Sequence, residues 1–304
     1  MSDAPDPREV DPAVVKRAFG RAAATYDASA VLQREVGRRL AARLDVVRLE
    51  PARVLDIGCG TGEATAELVA RYPRAHVVGL DLAWPMARAA SDRLGRGRSL
   101  YRRLLAPLAG DGGSNAHVVC GDALALPLSG VCVDLVFSNL ALQWVNDLPR
   151  AFAEMRRVLR VGGLATFTTF GPDTLRELRA AFARADGHTH VGRFADMHDV
   201  GDMLVRAGFA DPVMDAETFC LEYPSPRALM LDLRAIGATN ATRGRPRALT
   251  GKGRMARVYR ELERMMRDSR LPATFEVVYG HAWKGEPRAT DAGLPIVKLE
   301  RRPR

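Results

Sequence analysis

Apolar residues recur at two periods along the chain, and the changes between them divide it. Val14, Val15, Ala18 and Phe19 fall at helical spacing. So do Val31, Leu32, Val36, Leu40 and Leu44 beyond a break at Thr25-Tyr26-Asp27, which predicts two helices over residues 11–45. Arg53-Val54-Leu55-Asp56-Ile57 then reads as a short strand that runs into glycines. Strand and helix alternate from there, with helices over 63–71, 84–94 and 147–159 and strands over 75–80, 116–120, 133–138 and 163–170. Alternation of this kind predicts an α/β fold built on a mostly parallel sheet covered on both faces.

The second half predicts helices over 173–185 and 196–207, a strand over 212–221, helices near 226–237 and 250–267, and a strand over 273–284. If the last strand pairs antiparallel beside 212–221, residues 224–270 form a helical insertion over the carboxyl ends of the strands, where open α/β sheets bind ligands. The expected organisation is an N-terminal helical lid segment, 1–50; a core of 51–223 and 271–286; the insertion, 224–270; and a tail, 287–304. The stretch carrying Gly95, Gly97, Gly110, Gly112 and Gly113 reads as a surface excursion.

Composition narrows the class. With 304 residues, 47% hydrophobic and 27% charged, the chain can bury one core plus an appendage. Its apolar stretches never exceed about a dozen residues, short of the roughly 18–20 that a membrane span needs. Asp3, Asp6, Glu9 and Asp11 lie where a signal peptide would be apolar, so a cytoplasmic protein is expected. Cys59, Cys120, Cys132 and Cys220 show no C-x-x-C spacing and read as structural thiols. The net charge of +9 names no partner by itself, because all but four of the 45 basic residues are arginines, a skew that coding composition alone produces.

The chemistry concentrates after the first strand, in Val54-Leu55-Asp56-Ile57-Gly58-Cys59-Gly60-Thr61-Gly62. The dinucleotide fingerprint fails in either register, since Glu63 or Thr65 stands where its third glycine belongs, and no Gly-Lys-Ser/Thr follows to make a P-loop. D-x-G-x-G-x-G does fit, and it resembles motif I of the class I methyltransferases that use S-adenosylmethionine. That ligand carries an ammonium and a sulfonium, so acids near the turn stabilise it. Asp81 ends the second strand, where a carboxylate can accept ribose hydroxyls. The resemblance implies that Asp122, with Ala123, contacts the adenine amino group, and that Leu82 and Asn139 complete the cofactor set with Asp56, Gly58, Gly60 and Gly62.

Further blocks extend the resemblance from about Val14 to Lys284. They are Phe19-Gly20-Arg21-Ala22-Ala23 with Thr25-Tyr26-Asp27, Ser138 to Trp144, Phe170-Gly171-Pro172-Asp173-Thr174-Leu175, Phe194-Ala195-Asp196-Met197-His198-Asp199, and Tyr279-Gly280-His281-Ala282-Trp283. Together they resemble the malonyl-acyl carrier protein O-methyltransferases of biotin synthesis, in their long form. The respiratory complex I arginine hydroxylases look similar over part of the same blocks; the acidic N-terminus and the His281-Ala282-Trp283 ending favour the former. The resemblance implies methylation of the free carboxylate of a malonyl thioester on acyl carrier protein, with no nucleic acid, membrane or metal involved.

A malonyl carboxylate is already ionised near neutral pH, so the expected demand is positioning and exclusion of water rather than a general base. Tyr26 is the candidate lid residue, and Asn139 lies where donor and acceptor meet. Gln143 and Trp144 are expected to line the acceptor pocket. Arg193, with His190 behind it, is the candidate cation for the carboxylate, and His281 is a further candidate substrate contact. His188, His190 and His198 near Asp196 and Asp199 lack the spacing of a known metal site. Arg243, Arg245, Arg247, Lys252, Arg254 and Arg257 form a basic edge suited to an acidic carrier.

Overall fold

A computed structural model of the chain describes residues 9–96, 115–186, 188–245 and 251–286. Its strands are β1 (Arg53–Ile57), β2 (His76–Asp81), β3 (Ala116–Cys120), β4 (Val133–Ser138), β5 (Leu159–Phe170), β6 (Ala210–Tyr223) and β7 (Leu271–Trp283). They form a seven-stranded sheet in the order β3-β2-β1-β4-β5-β7-β6. Pairing is parallel from β3 to β5, and β7 runs antiparallel to both β5 and β6. The order reverses between β1 and β4, so the crevice for a ligand lies beyond their carboxyl ends.

The helices are α1 (Pro12–Ala22), α2 (Tyr26–Ser29), α3 (Val31–Ala42), α4 (Glu63–Arg71), α5 (Trp84–Arg96), α6 (Leu148–Val158), α7 (Arg176–Ala185), α8 (Met197–Arg206), α9 (Pro226–Ala235) and α10 (Lys252–Glu263). Neighbouring strand residues point to opposite faces, and each face has its own core. Val54, Leu135, Leu164 and Val277 pack beneath α3, α4, α7 and α9. Leu55, Val136, Ala165 and Phe167 pack beneath α6 and α8. Burial of the sheet centre on both faces explains why β1 and β4 are nearly continuous apolar runs.

The expected α/β architecture, antiparallel last strand and helical insertion between β6 and β7 are all present. Element boundaries differ by up to four residues, and the break expected at Thr25-Tyr26-Asp27 carries the short helix α2. Two of the shifts have a local cause. β5 begins at Leu159 because that residue pairs with Val133 across a bulge. The helix expected from residue 173 begins at Arg176, because Leu175 takes φ 54° and donates its N–H to Thr274 of β7 at 2.6 Å. Cys120 and Cys220 are exposed thiols rather than core ones. Gly97, Gly110, Gly112, Gly113, Arg247, Asp3, Asp6 and the tail 287–304 lie outside the described residues. Among the described residues no helix is long and apolar enough to cross a membrane.

The N-terminal segment and the insertion form one cover over the strand ends. Val10 bridges to Thr242, Asp11 N–H donates to Ala241 O at 2.8 Å, and Arg243 N–H donates to Glu9 O at 2.8 Å. On the other side Asn146 holds both backbone groups of Val10, accepting from its N–H at 2.8 Å and donating to its carbonyl at 2.9 Å.

Gly280 of β7 lies opposite Phe167 of β5, and a Cβ there would sit 2.5 Å from the Phe167 ring. Phe167 cannot yield, because it is itself buried against Phe152 at 5.3 Å between centroids. Gly280→Ala is expected to destabilise the protein by about 1–3 kcal/mol through overpacking. A thermal melt would show this as a lowered Tm, and an unchanged Tm would contradict the packing described.

Candidate functional site

β1 delivers its chain into the turn 58–62, where Gly58 and Gly62 take φ of 73° and 84°. A side chain at Gly58 would strike Ala141 Cβ at 2.2 Å, so the turn lies directly on the loop after β4. Gly62 has a different neighbour: its Cβ would lie 2.8 Å from Ala90 of α5. That glycine permits close packing of the turn against α5, and it does not line the three clefts described below.

Two acids flank the turn. Asp56 is buried, and its Oδ2 accepts from Thr65 Oγ1 at 2.6 Å. Burial lifts its carboxyl to a pKa of about 7, against the lowering effect of that hydrogen bond. Asp81 accepts from Gly60 N–H at 3.0 Å and from Ala83 N–H at 2.7 Å. Burial raises its pKa as well, outweighing both donors. Among the described residues neither acid has an ion-pair partner.

Three clefts open around the turn. A strand-end cleft of about 960 Å³ is lined by Asp81, Leu82, Asp122 and Ala123 beneath Phe19 of α1. A turn cleft of about 520 Å³ lies between Asp56, Gly58 and Gly60 on one side and Gln33 and Arg34 of α3 on the other. An insertion cleft of about 910 Å³ is lined by Gln143, Trp144, His190 and Arg193 with apolar walls from Phe170, Leu178 and Phe275. Tyr26 lines all three, while Asn139 lines the first two. Burial, followed by Asp81, Asp27 and Glu63, pushes the Tyr26 phenol up, so it stays a donor at neutral pH.

Tyr26 is set by its neighbour. Asp27 Oδ1 accepts from Thr61 Oγ1 in the glycine turn at 2.5 Å, and Oδ2 accepts from Arg93 of α5. Arg93 Nε donates to Thr61 O at 2.9 Å and closes the triangle. Arg34 adds a bond to the Asp27 carbonyl at 2.8 Å. Asn139 ties α3 to the sheet, donating to Gln33 O at 2.8 Å and accepting from Thr168 Oγ1 at 2.8 Å.

On the acceptor side Arg193 is exposed and makes no ion pair or hydrogen bond among the described residues. The segment carrying it is fixed by Arg179, which donates to Pro172 O, Thr174 O and Gly192 O. Gln143 Nε2 donates to Leu140 O at 2.6 Å, whereas its Oε1 is buried without a partner. Trp144 meets Phe19 edge to face at 5.2 Å. His190 is committed to Asp186 at 2.9 Å and stacked on Phe182 at 3.9 Å, so it supports the cleft wall. Among the described residues no three His, Cys, Asp or Glu side chains converge as for a metal ion.

His281 is not brought to the site. It pairs with Thr166, four residues along β7 from Val277, which faces the carboxyl end of β5. That places it roughly 13 Å below the strand ends at the usual rise per residue. Burial and Arg43 lower its pKa there. The basic edge is also altered. Arg243 pairs with Glu9 at 3.0 Å and Arg245 with Asp11 at 3.3 Å, which hold the cover together, and Arg254 pairs with Asp186 after α7 at 3.3 Å, which ties the insertion to the core. Asp27, Arg93, Arg34 and Arg179 were missed by sequence reasoning, because only the fold brings their partners near.

A doubly wound sheet with one antiparallel strand, a glycine turn and acids at three successive strand ends defines a class I methyltransferase domain. A methyltransferase domain family model matches residues 55–167. The YcgJ protein of Bacillus subtilis shares the fold, with a TM-score of 0.55 at 17% identity over 82% of this chain and 99% of its own. The chain is 50% identical over 289 residues to the malonyl-acyl carrier protein O-methyltransferase of Gallionella capsiferriformans, covering 95% of this chain and 96% of that protein. It is 54% identical to the enzyme of that name from Laribacter hongkongensis, with the same coverage. The chain belongs to the malonyl-acyl carrier protein O-methyltransferase family.

The acids fit a cationic donor, since two carboxylates lifted by burial lack any cation of their own. Binding a positive charge beside Asp56 favours its ionised form and releases a proton at pH below about 7. Affinity for S-adenosylmethionine is therefore expected to rise between pH 6 and 8 in calorimetric titrations. Asp56→Asn should flatten that rise, and a variant as pH-dependent as the wild type would contradict the assignment.

Proposed function

We propose that the protein transfers the methyl group of S-adenosylmethionine to the free carboxylate of a malonyl thioester on acyl carrier protein, in the cytoplasm, giving the ester that primes pimeloyl formation for biotin. The meeting of three clefts at Tyr26, in a chain whose near-full-length relatives carry that activity in their names, supports this reading. S-adenosylmethionine supplies, when bound, a methyl group made electrophilic by the adjoining sulfonium. Asp81 takes the ribose hydroxyls, Asp122 with Leu82 and Ala123 takes the adenine, and Asp56, Gly58 and Gly60 face the charged amino-acid end.

The acceptor carboxylate is ionised at neutral pH, so the chain need not remove a proton. Its work is to align the nucleophile and keep water out, which proximity makes worth several kcal/mol. Arg193 holds the carboxylate oxygen that does not react. Tyr26 donates its hydroxyl at the same junction and closes the space above it. Asn139 fixes the distance between lid and strand ends, while Gln143 and Trp144 shape the acceptor cleft and His190 braces its wall. Residues 1–50 serve as the lid and 224–270 as the cap around one core.

Methyl-labelled S-adenosylmethionine with malonyl-carrier should give base-labile label on the carrier, and acetyl-carrier should give none. Equal labelling of both would contradict a carboxyl methyltransferase. Arg193→Met is expected to raise KM for the malonyl substrate about tenfold or more, the worth of a hydrogen bond to a charged group. Tyr26→Phe is expected to lower kcat about tenfold with little change in donor Kd. Steady-state kinetics with calorimetry separates the two effects, and loss of donor binding in Tyr26→Phe would contradict its placement at the acceptor.

A further inference from the structure

We infer that the outer face of α10 is the docking surface for the acidic carrier domain, an inference that rests on the reaction proposed above. Arg257, Arg260 and Arg264 fall at i, i+3 and i+7, so they share one side of the helix. All three are exposed, on the side away from the buried Val258 and Leu262. Seven basic and three acidic residues lie between Lys252 and Arg270. One of those acids is already spent: Glu261 bonds both Arg184 at 2.8 Å and Arg264 at 2.5 Å. Arg260 makes no ion pair or hydrogen bond through its side chain among the described residues.

Position relative to the acceptor cleft makes this face more than a solvated surface. Arg257 donates to Ala185 O at 3.5 Å, and Arg254 one turn earlier pairs with Asp186. Asp186 holds His190, which lines the insertion cleft. The stripe thus begins beside the end of α7, whose Asp186 holds the cleft-lining His190. A carrier seated there presents its thioester arm to the cleft while its own acids meet the arginines. The earlier arginines Arg243 and Arg245 are consumed by Glu9 and Asp11, so the insertion divides its charge between holding the cover and facing solvent. Such contacts act on encounter and weaken with salt.

The test is Arg257→Glu with Arg260→Glu, beside Arg260→Glu alone, assayed with malonyl-carrier and with malonyl-CoA, which has the thioester arm but no carrier domain. Circular dichroism and Tm check that the variants are folded. The double variant should lose about tenfold or more in kcat/KM on malonyl-carrier, with the single variant between it and wild type, and stay within about twofold on malonyl-CoA. Wild-type KM for the carrier should climb with salt, and that of the double variant should climb much less. Equal losses on both substrates, or an undiminished rate on the carrier, would overturn the docking face. A wild type that methylates malonyl-CoA but neither binds nor methylates malonyl-carrier would overturn it while leaving carboxyl methylation standing. Failure on both substrates would remove the reaction as well.

Discussion

The carboxylate of Asp27 is the joint on which the site depends. It binds the hydroxyl of Thr61 in the glycine turn and the guanidinium of Arg93 on α5, and so fastens α2 to both elements. Tyr26, its neighbour in sequence, is thereby carried to the junction of all three clefts. The bond is partly exposed, with the two side chains of the Asp27–Arg93 pair at 51% and 35%, so it contributes little to global stability. Its importance is geometric, because a one-residue displacement of this short helix would point the phenol away from the crevice.

A second constraint follows from the cover. The N-terminal segment and the insertion are far apart in sequence, yet each leaves backbone groups that the other satisfies, through Asp11 to Ala241 and Arg243 to Glu9. Val10 lines the insertion cleft while Pro12, Val15 and Phe19 line the strand-end cleft. One strip of chain therefore lines both the insertion cleft and the strand-end cleft, which suits a reaction whose main requirement is a dry, aligned pair of reactants. Glu9 and Asp11 of the N-terminal segment find a structural use here as partners for Arg243 and Arg245 of the insertion.

Much of this was legible before any coordinates. The alternation of periods located every strand to within a few residues, and the spacing of Asp56, Asp81 and Asp122 along successive strand ends pointed to the clefts these acids line, because strand ends are where a parallel sheet gathers such residues. Other features were hidden for physical reasons. Gly62 has the same spacing as its neighbours, and only the fold shows that its missing side chain makes room for Ala90 of α5. His281 sits in one of the blocks that carry the resemblance, yet its height along β7 depends on a register that sequence does not display. The basic edge was visible as composition, while its partition between internal pairs and the free face of α10 depends on contacts over more than 200 residues, as between Arg245 and Asp11.

The reaction proposed above would take place where the three clefts meet at Tyr26. The most direct test of this account is a crystal structure of the protein with S-adenosylhomocysteine and a non-hydrolysable malonyl-pantetheine analogue. The account predicts the nucleoside beside Asp81 and Asp122, the malonyl carboxylate in the insertion cleft against Arg193, and the Tyr26 hydroxyl within hydrogen-bond distance of that carboxylate. A carboxylate bound elsewhere, or Tyr26 turned out of the junction with both ligands present, would contradict it.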